Sequence, residues 1–174
     1  MKIRRAVGAD ATSLSTLVMA CVEESYAGHP GSTPEQLRRD VLTEPPRHHV
    51  LLAEANGRPI GFVAWDRIYD MHWATSGAQV SDLYVVPTQR GMGVALALVA
   101  ACAAEVHRAG GLFLRGGAYD RESTRRAYAR VAVVQASGET NLGGRALRRL
   151  AELAGRPPRD ILRNLPPVEW NFEA

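Results

Sequence analysis

The segment that runs from Leu83 to Ala95 constrains the fold more than any other part of the chain. An apolar strand pattern ends at Pro87, a loop with two glycines follows, and an alanine- and valine-rich helix is predicted over residues 94–108. This order places unpaired backbone N–H groups at a helix N-terminus, where phosphate groups bind. Gly91 and Gly93 remove side chains where a ligand must approach the backbone. The segment therefore predicts a pyrophosphate-binding loop between a strand and a helix.

Two common phosphate-binding loops do not match this segment. A P-loop requires Gly-Lys-Ser/Thr at the helix start, whereas the chain has Gly93-Val94-Ala95. A dinucleotide-binding loop requires a third glycine, and Ala95 and Leu96 follow instead. A tight turn without a ligand is the simplest alternative. The pattern Arg90-x-x-Gly93-x-Ala95, however, resembles the Arg/Gln-x-x-Gly-x-Gly/Ala motif of the GNAT family of N-acetyltransferases.

This resemblance implies acetyl-CoA as the acetyl donor. It implies that the pyrophosphate lies on a loop and first helical turn made of Arg90, Gly91, Met92, Gly93, Val94 and Ala95. It also implies that pantetheine pairs like an extra strand with backbone N–H groups of Leu83, Tyr84 and Val85. A later segment similar to a second family motif would add Arg121, Ser123 and Thr124 to the cofactor site. From the local sequence alone, an ordinary paired strand would be the expectation at positions 83–85.

The composition is that of a soluble globular protein. The chain has 174 residues, 46% of them hydrophobic and 22% charged, which suits one domain with a hydrophobic core. The net charge of +3 is spread along predicted helices, so nucleic acid is not an expected partner. No signal peptide or membrane-spanning run is recognised, and we expect a cytoplasmic location with no membrane partner. Cys21 and Cys102 are expected to be free thiols.

The hydrophobic periodicity predicts the element order βααβββαβαβ, a mixed α/β domain with a GNAT-like central sheet flanked by helices. Two of its strands are joined by Asn56-Gly57, a strong hairpin signal, and residues 69–77 are predicted as a loop. The family resemblance covers the core at 2–134. Beyond it, we predict a C-terminal helical insertion over 141–165, with a closing strand at 168–172.

Acetyl transfer to an amine requires a neutral amine, donors for the oxyanion and a proton donor near the departing thiolate. Tyr128 is the candidate acid, because residues 121–128 resemble the family segment Asn-x-x-Ala/Ser-x-x-x-Tyr, whose tyrosine faces the cofactor sulfur. Arg121 stands where that segment has asparagine, and Thr124 takes its small-residue position. A tyrosine on an amphipathic helix is otherwise a core residue with its hydroxyl at the rim.

The candidate base is Asp82, on the strand that leads to the loop. Some branches of the family carry a glutamate where this chain has Ser81, so the usual carboxylate is expected to be absent. Asp82, Glu23 or Glu24 is then left to accept the proton. The alternative for Asp82 is a hydrogen-bonded structural carboxylate.

The acceptor is predicted to be the primary amine of a small cationic molecule. Glu23 and Glu24 end the first helix, where the family's acceptor groove lies, and Asp70 and Trp73 belong to a polar-aromatic segment. Carboxylates and aromatic faces together suit an ammonium group. The run that begins at Gly61 also resembles the polyamine and thialysine acetyltransferase branch. Solvated helix-end charges are the alternative for the glutamates, and peptides, amino acids and aminoglycosides stay open as acceptors.

Two further expectations concern the whole protein. A non-catalytic acyl-CoA-binding regulator is the alternative to an enzyme, and its groove beside Asp82 would be filled by the helical tail. No metal is expected, because His48, His49 and His72 have no nearby cysteine or carboxylate in a ligand pattern. A homodimer is expected from the habit of the family and from the apolar, arginine-rich tail.

Overall fold

The computed structural model describes residues 1–25, 28–117 and 122–169. Within these residues, the strands are β1 Lys2–Arg5, β2 His49–Ala55, β3 Arg58–Asp70, β4 Thr75–Val85, β5 Phe113–Gly117, β6 Val133–Val134 and β7 Glu139–Gly143. The α-helices are α1 Ala11–Ser25, α2 Pro34–Asp40, α3 Val94–Arg108, α4 Glu122–Tyr128, α5 Gly144–Glu152 and α6 Pro158–Arg163. Short 3₁₀ turns precede α1 and follow β4.

The strands form one sheet in the order β1-β2-β3-β4-β5-β7-β6. Neighbouring strands are antiparallel except β4 and β5, which run parallel and are linked through α3. A parallel pair requires such a crossover, and the ends of both strands then meet at the same edge of the sheet. This predicted mixed α/β fold is confirmed.

Two β-bulges set the register of the central strands. The β2–β3 hairpin turns at Asn56 and Gly57, whose φ angles are 50° and 73°, the left-handed values that a two-residue hairpin turn requires. The register then shifts by one residue at Ile60, because Ala53 lies opposite Gly61 while Glu54 lies opposite Pro59. A second shift leaves Ser81 as an extra residue in β4. Each bulge changes which side chains share a face of the sheet.

The sheet separates two hydrophobic clusters. On one face, α1 and α2 cover the smaller cluster, which includes Leu14, Leu52, Phe62 and Tyr84. On the other face, α3, α5 and α6 cover the larger cluster, to which α3 contributes Leu98, Ala100 and Cys102. Leu147, Leu150 and Ile161 from the C-terminal helices are completely buried in that cluster.

Several local predictions are confirmed. Helix α3 begins at Val94 and ends at Arg108, as its apolar pattern predicts. Helix α2 begins after Thr33, whose side chain accepts from the Gln36 backbone N–H while the Gln36 side chain accepts from Thr33. The loop predicted over residues 69–77 is wrong, because β3 continues to Asp70 and β4 already begins at Thr75.

The structure confirms the helices of the predicted C-terminal insertion and adds a strand before them. Helix α5 at Gly144–Glu152 and helix α6 at Pro158–Arg163 lie within residues 141–165. Strand β7, Glu139–Gly143, lies between β5 and β6, so residues 141–143 belong to the sheet. The polar side chains of Thr140 and Asn141 hid the strand, although both are buried. Of the proposed closing strand, Val168 and Glu169 have no regular structure and 170–172 lie outside the described residues.

Candidate active site

The open edge of β4 defines the site. In the described part of the chain, β4 pairs with β5 only at Ala78 and Gln79, whereas it pairs with β3 along almost its whole length. Residues 80–85 of β4 therefore extend beyond the pairing with β5. Such an edge can accept an extended ligand as an additional strand.

The alternation of hydrogen bonds decides which N–H groups face this open edge. The Val86 N–H donates to the Ile60 carbonyl of β3 at 3.0 Å. Because N–H groups alternate between the two edges of an antiparallel strand, Tyr84 directs its N–H to β3, while Leu83 and Val85 direct theirs to the open edge. Two of the three predicted pantetheine donors are therefore positioned for a ligand, and the Tyr84 backbone is not.

The pyrophosphate loop, residues 86–93, connects this edge to α3. Gly91 and Gly93 have φ angles of 76° and 77°, which glycine adopts most readily. Gly93 is the N-cap residue and supplies no side-chain cap, and the first bond across the helix start runs from the Ala97 N–H to the Gly93 carbonyl. The N–H groups of Val94 and Ala95 thus lie at the positive end of a 15-residue helix.

Arg90 fastens the loop to its neighbours. Its Nε donates to the Val85 carbonyl at 2.9 Å, and its Nη2 lies 2.8 Å from both carboxylate oxygens of Glu24. The guanidinium also stands over the Tyr84 ring, 5.5 Å from its centroid. Glu24 further accepts from the Tyr84 hydroxyl at 3.1 Å. Arg90, predicted to bind the cofactor, and Glu24, predicted to bind the substrate, therefore form an ion pair with each other. Glu24 thereby holds the loop in place.

Helix α6 supports the same loop from behind. A Cβ atom at Gly93 would lie 2.5 Å from the Cβ of Pro158, the first residue of α6, whereas Gly91 faces open space. The glycine at position 93 is therefore required by contact within the chain. A side chain at Gly93 would therefore clash with Pro158 even in the absence of a ligand.

Three carboxylates and one thiol lie where α1 ends beside β4. Asp82 is exposed on the face that carries Tyr84, two residues later. Burial raises the pKa of the Cys21 thiol, and the negative charges of Asp82 and Glu24 raise it further. Glu23 is exposed near the same end of α1. This corner is therefore negative, and its cysteine stays protonated at neutral pH.

Tyr128 lies at the C-terminal end of α4, which packs beside β6 at the edge of the sheet. Burial raises the pKa of its phenol to about 12. Its carbonyl accepts from the N–H groups of Val131 and Ala132, both at 2.9 Å, which fixes the end of the helix. Of the predicted cofactor residues in this segment, Ser123 and Thr124 belong to α4, and Arg121 lies outside the described residues.

Asp70 and Trp73 lie elsewhere. Asp70 is buried at the tip of the β3–β4 hairpin, where it accepts from Arg115 Nη2 at 2.7 Å and from the N–H groups of His72 and Trp73. The hydrogen bond from Arg115 is the main cause that lowers the Asp70 pKa. The tip is about 20 Å along β4 from Asp82 at 3.3 Å per residue. These two predicted substrate residues therefore do not line the same site as Asp82.

The structure adds a group that the sequence did not indicate, formed by His48, Asp66 and Ser81 and called here the His48 cluster. Nδ1 of His48 lies 2.6 Å from Asp66 Oδ1, and Nε2 lies 2.9 Å from Ser81 Oγ. His48 precedes β2, Asp66 is in β3 and Ser81 is the bulged residue of β4. The hairpin signal at residues 56–57 is the only sequence sign of this grouping. It predicts the pairing of β2 with β3 but not the bulge at Ile60 that shifts this pairing by one residue.

No group of three or more histidine, cysteine, aspartate or glutamate side chains that could hold a metal ion occurs among residues 1–25, 28–117 and 122–169. No helix in the described ranges combines the length and apolarity needed to cross a membrane. Cys21 and Cys102 are free.

Comparison with known proteins places this geometry in a family. The profile of the Acetyltransferase (GNAT) family matches residues 14–133. The chain belongs to the GNAT acetyltransferase family. No curated protein sequence matches the chain at a significant level.

Solved structures share the fold of this GNAT protein at low sequence identity. A ribosomal-protein-alanine N-acetyltransferase from Brucella melitensis biovar Abortus 2308 is 21% identical with a TM-score of 0.63, over 78% of this chain and 94% of that one. The PaiA N-acetyltransferase from Thermoplasma acidophilum, in complex with coenzyme A, is 16% identical with a TM-score of 0.63, over 82% and 98%. An aminoglycoside acetyltransferase from an uncultured soil metagenomic sample is 19% identical with a TM-score of 0.60, over 74% and 84%.

The residues of this GNAT chain fit a coenzyme A thioester. The open edge of β4 offers the N–H groups of Leu83 and Val85 to an extended chain of amides, and the uncapped start of α3 offers several more to a pyrophosphate. Both sets lie in one continuous segment, as a ligand with pantetheine next to pyrophosphate requires. Family membership and this fit support acetyl transfer as the chemistry of the chain.

Proposed function

We propose that the protein transfers the acetyl group of acetyl-CoA to the primary amine of a small cationic molecule by direct attack of the amine on the thioester. The single observation that carries the proposal is the continuity of the open β4 edge with the uncapped start of α3. Acetyl-CoA supplies the activated acyl group when it is bound. The residues of the chain orient that group, bind the amine, and donate or accept protons during the transfer.

The backbone and Tyr128 act on the thioester. On the open edge of β4, the N–H groups of Leu83 and Val85 hold the pantetheine amides and fix the acyl carbon relative to the sheet. Because the pKa of Tyr128 is raised to about 12, its phenol keeps its proton and donates a hydrogen bond to the departing sulfur. A free thiol has a pKa of about 8.5, so the phenol stabilises the thiolate without losing its proton to it.

The acceptor proposal rests on the charges near the end of α1. Asp82 and Glu23 are exposed there, and both carboxylates would attract an ammonium group to the open edge. Cys21 stays a protonated thiol because its pKa is raised by burial and by Asp82. A protonated thiol is a poor nucleophile, which favours direct attack over an acyl-cysteine.

The structure gives no support to the regulatory alternative. A regulator would have its acceptor groove filled by the C-terminal tail, but α5 and α6 pack on α3, and Leu147 and Ile161 are buried against it. Asp82 remains exposed. The described part of the tail therefore supports the loop from behind and leaves the groove open.

The test is a calorimetric titration with acetyl-CoA, followed by a thiol-release assay with spermidine, lysine, kanamycin and a peptide that begins with alanine. We expect binding and thiol release with spermidine or lysine. Release only with the peptide would replace the small molecule by a protein N-terminus as the acceptor. Absence of acetyl-CoA binding would contradict the whole proposal. The predicted homodimer is checked on the same sample by light scattering.

A further inference from the structure

The His48 cluster lies where the proposed reaction needs a proton acceptor. Ser81 stands on β4 between Gln79, the last residue paired with β5, and Leu83, the first donor on the open edge. We propose that Ser81 and His48 form a proton relay that takes the proton of the attacking amine, with Asp66 stabilising the charged imidazole. The inference rests on the proposed acetyl transfer and identifies its base.

The geometry fixes the direction of the relay. Asp66 Oδ1 is 2.6 Å from His48 Nδ1, and a carboxylate can only accept, so Nδ1 carries a proton. In the neutral imidazole, Nε2 is then the acceptor, and it lies 2.9 Å from the Ser81 hydroxyl. The His48 side chain is 24% exposed, whereas Asp66 is 47% exposed and Ser81 is exposed, so the cluster is open to solvent on the Ser81 side. The lone pair of Nε2 is thus directed at the hydroxyl of Ser81.

Ser81 has two partners that suit the two states of the relay. Its Oγ lies 2.9 Å from His48 Nε2 and 3.3 Å from the carbonyl oxygen of Ala64. While His48 is neutral, the hydroxyl donates to Nε2. When His48 is charged, Nε2–H donates to Oγ, and the hydroxyl hydrogen turns to the Ala64 carbonyl. Both states leave every proton of the group hydrogen-bonded, so transfer of a proton creates no unsatisfied donor.

The proton balance of the step is as follows. The amine nitrogen forms a bond with the acetyl carbon and becomes positively charged, and the C–S bond breaks to release a thiolate. Ser81 Oγ accepts the N–H proton while its own proton passes to His48 Nε2. The products are the N-acetyl amine, a thiolate that Tyr128 stabilises and that water protonates, and an imidazolium that returns its proton to solvent.

Asp82 is the other candidate base on this part of β4. Asp82 and Ser81 are both exposed, and it is Ser81 that is hydrogen-bonded to the His48 imidazole. Asp82 therefore serves to attract the ammonium group. Asp66 on β3 is hydrogen-bonded to the imidazole, and Arg5 and Glu44 line the same cavity of about 200 Å³ as His48.

The kinetic test compares two neighbouring histidines. His48→Gln keeps an amide that can hydrogen-bond but cannot carry the proton, so kcat at pH 7 should fall about 100-fold with the KM for acetyl-CoA within two-fold of wild type. The acid limb of the pH profile should also disappear. His49→Gln is the matched control, because His49 faces the opposite side and stacks on Trp65 at 5.3 Å. In Ser81→Ala, kcat should fall about 10-fold or more. Ser81→Thr should recover activity because it keeps the hydroxyl.

A second readout requires no turnover. In the protein without acetyl-CoA, nitrogen NMR should show His48 as the Nδ1–H tautomer, and Asp66→Asn should remove that preference. An Nε2–H tautomer in the wild type, an unchanged acid limb in His48→Gln, or equal losses in the two histidine variants would each overturn the relay. If wild-type protein binds acetyl-CoA and acetylates no amine, the proposed function fails while the NMR result still decides whether the cluster is built as a relay.

Discussion

The pyrophosphate loop and the His48 cluster are two halves of one candidate site, and they are built in opposite ways. The loop is a continuous run of residues 86–93 followed directly by α3, and its function follows from local backbone geometry. The His48 cluster joins residues that are 33 positions apart at its ends: His48 precedes β2, whereas Asp66 lies in β3 and Ser81 in β4. A ligand-binding loop can therefore be recognised in a sequence where a proton relay cannot, because the relay exists only when the register of the sheet is known.

The largest effect should come from Gly93. Gly93→Ala places a Cβ 2.5 Å from Pro158 at a φ of 77°, so both overpacking and backbone strain should lower the unfolding free energy, by about 2–4 kcal/mol in total. Position 91 shares the positive φ but faces open space, so Gly91→Ala should lower the unfolding free energy by only about 1–2 kcal/mol. Denaturant unfolding and acetyl-CoA titration of both variants measure the difference. Equal losses would show that α6 does not support the loop.

The next effect concerns Tyr128. Tyr128→Phe removes one donor to the departing sulfur, so kcat should fall about 10- to 100-fold while the Kd for acetyl-CoA stays near its wild-type value. Since the phenol titrates at about 12, the wild-type rate should show no loss from Tyr128 ionisation up to about pH 10. A steady-state pH series checks both points. Wild-type turnover in the phenylalanine variant would remove Tyr128 from the mechanism.

A smaller effect is expected at Glu24. Glu24→Gln removes the charge that pairs with Arg90 at 2.8 Å but keeps an oxygen for the Tyr84 hydroxyl. The pair is partly exposed, so the loop should loosen slightly and the Kd for acetyl-CoA should rise about 3- to 10-fold. Glu23→Gln is the matched control on the neighbouring residue. If Glu24→Gln instead raised only the KM for the amine, the sequence-based assignment of Glu24 to the substrate would be restored.

The smallest effect on activity is expected at Asp70. Asp70→Asn should lower the melting temperature by roughly 2–4 °C and leave kcat and KM unchanged, because Asp70 stabilises the hairpin tip away from the site. The folded pKa of Asp70 is below its unfolded value, so its contribution to stability is complete above the unfolded pKa and is lost as the pH falls through the folded one. Melting curves of both proteins should therefore converge in acid. A rise in the amine KM would return Asp70 to the substrate site.

Two features that the sequence does not reveal, strand β7 and the partner of Asp70, have a common physical cause. Strand β7 was hidden because Thr140 and Asn141 are polar, yet Asn141 is buried where its side chain bonds to Arg115 and Glu139. Asp70 is predicted from its polar-aromatic segment to bind substrate, and that segment does not reveal its hydrogen-bond partner Arg115, which is 45 positions away. In both cases a polar residue is satisfied by a distant side chain, and periodicity within a window reports nothing about such a partner.

The sequence by itself determined the features whose causes are contiguous. It defined α3, the α2 cap at Thr33, the Asn56-Gly57 turn and the glycine loop, because neighbouring residues impose each of them. It also carried the family motif that identifies the chemistry.

Only the tertiary structure decided which distant groups meet. The bulge at Ile60 moves His48 from a position opposite Trp65 to one opposite Asp66. The bulge at Ser81 brings the faces of Ser81 and Asp82 together, although adjacent strand residues normally point apart. The packing of α6 on α3 places Pro158 against Gly93. A shift of one residue redirects every side chain beyond it, and the energy that selects the shift comes from the packed sheet and not from any single segment.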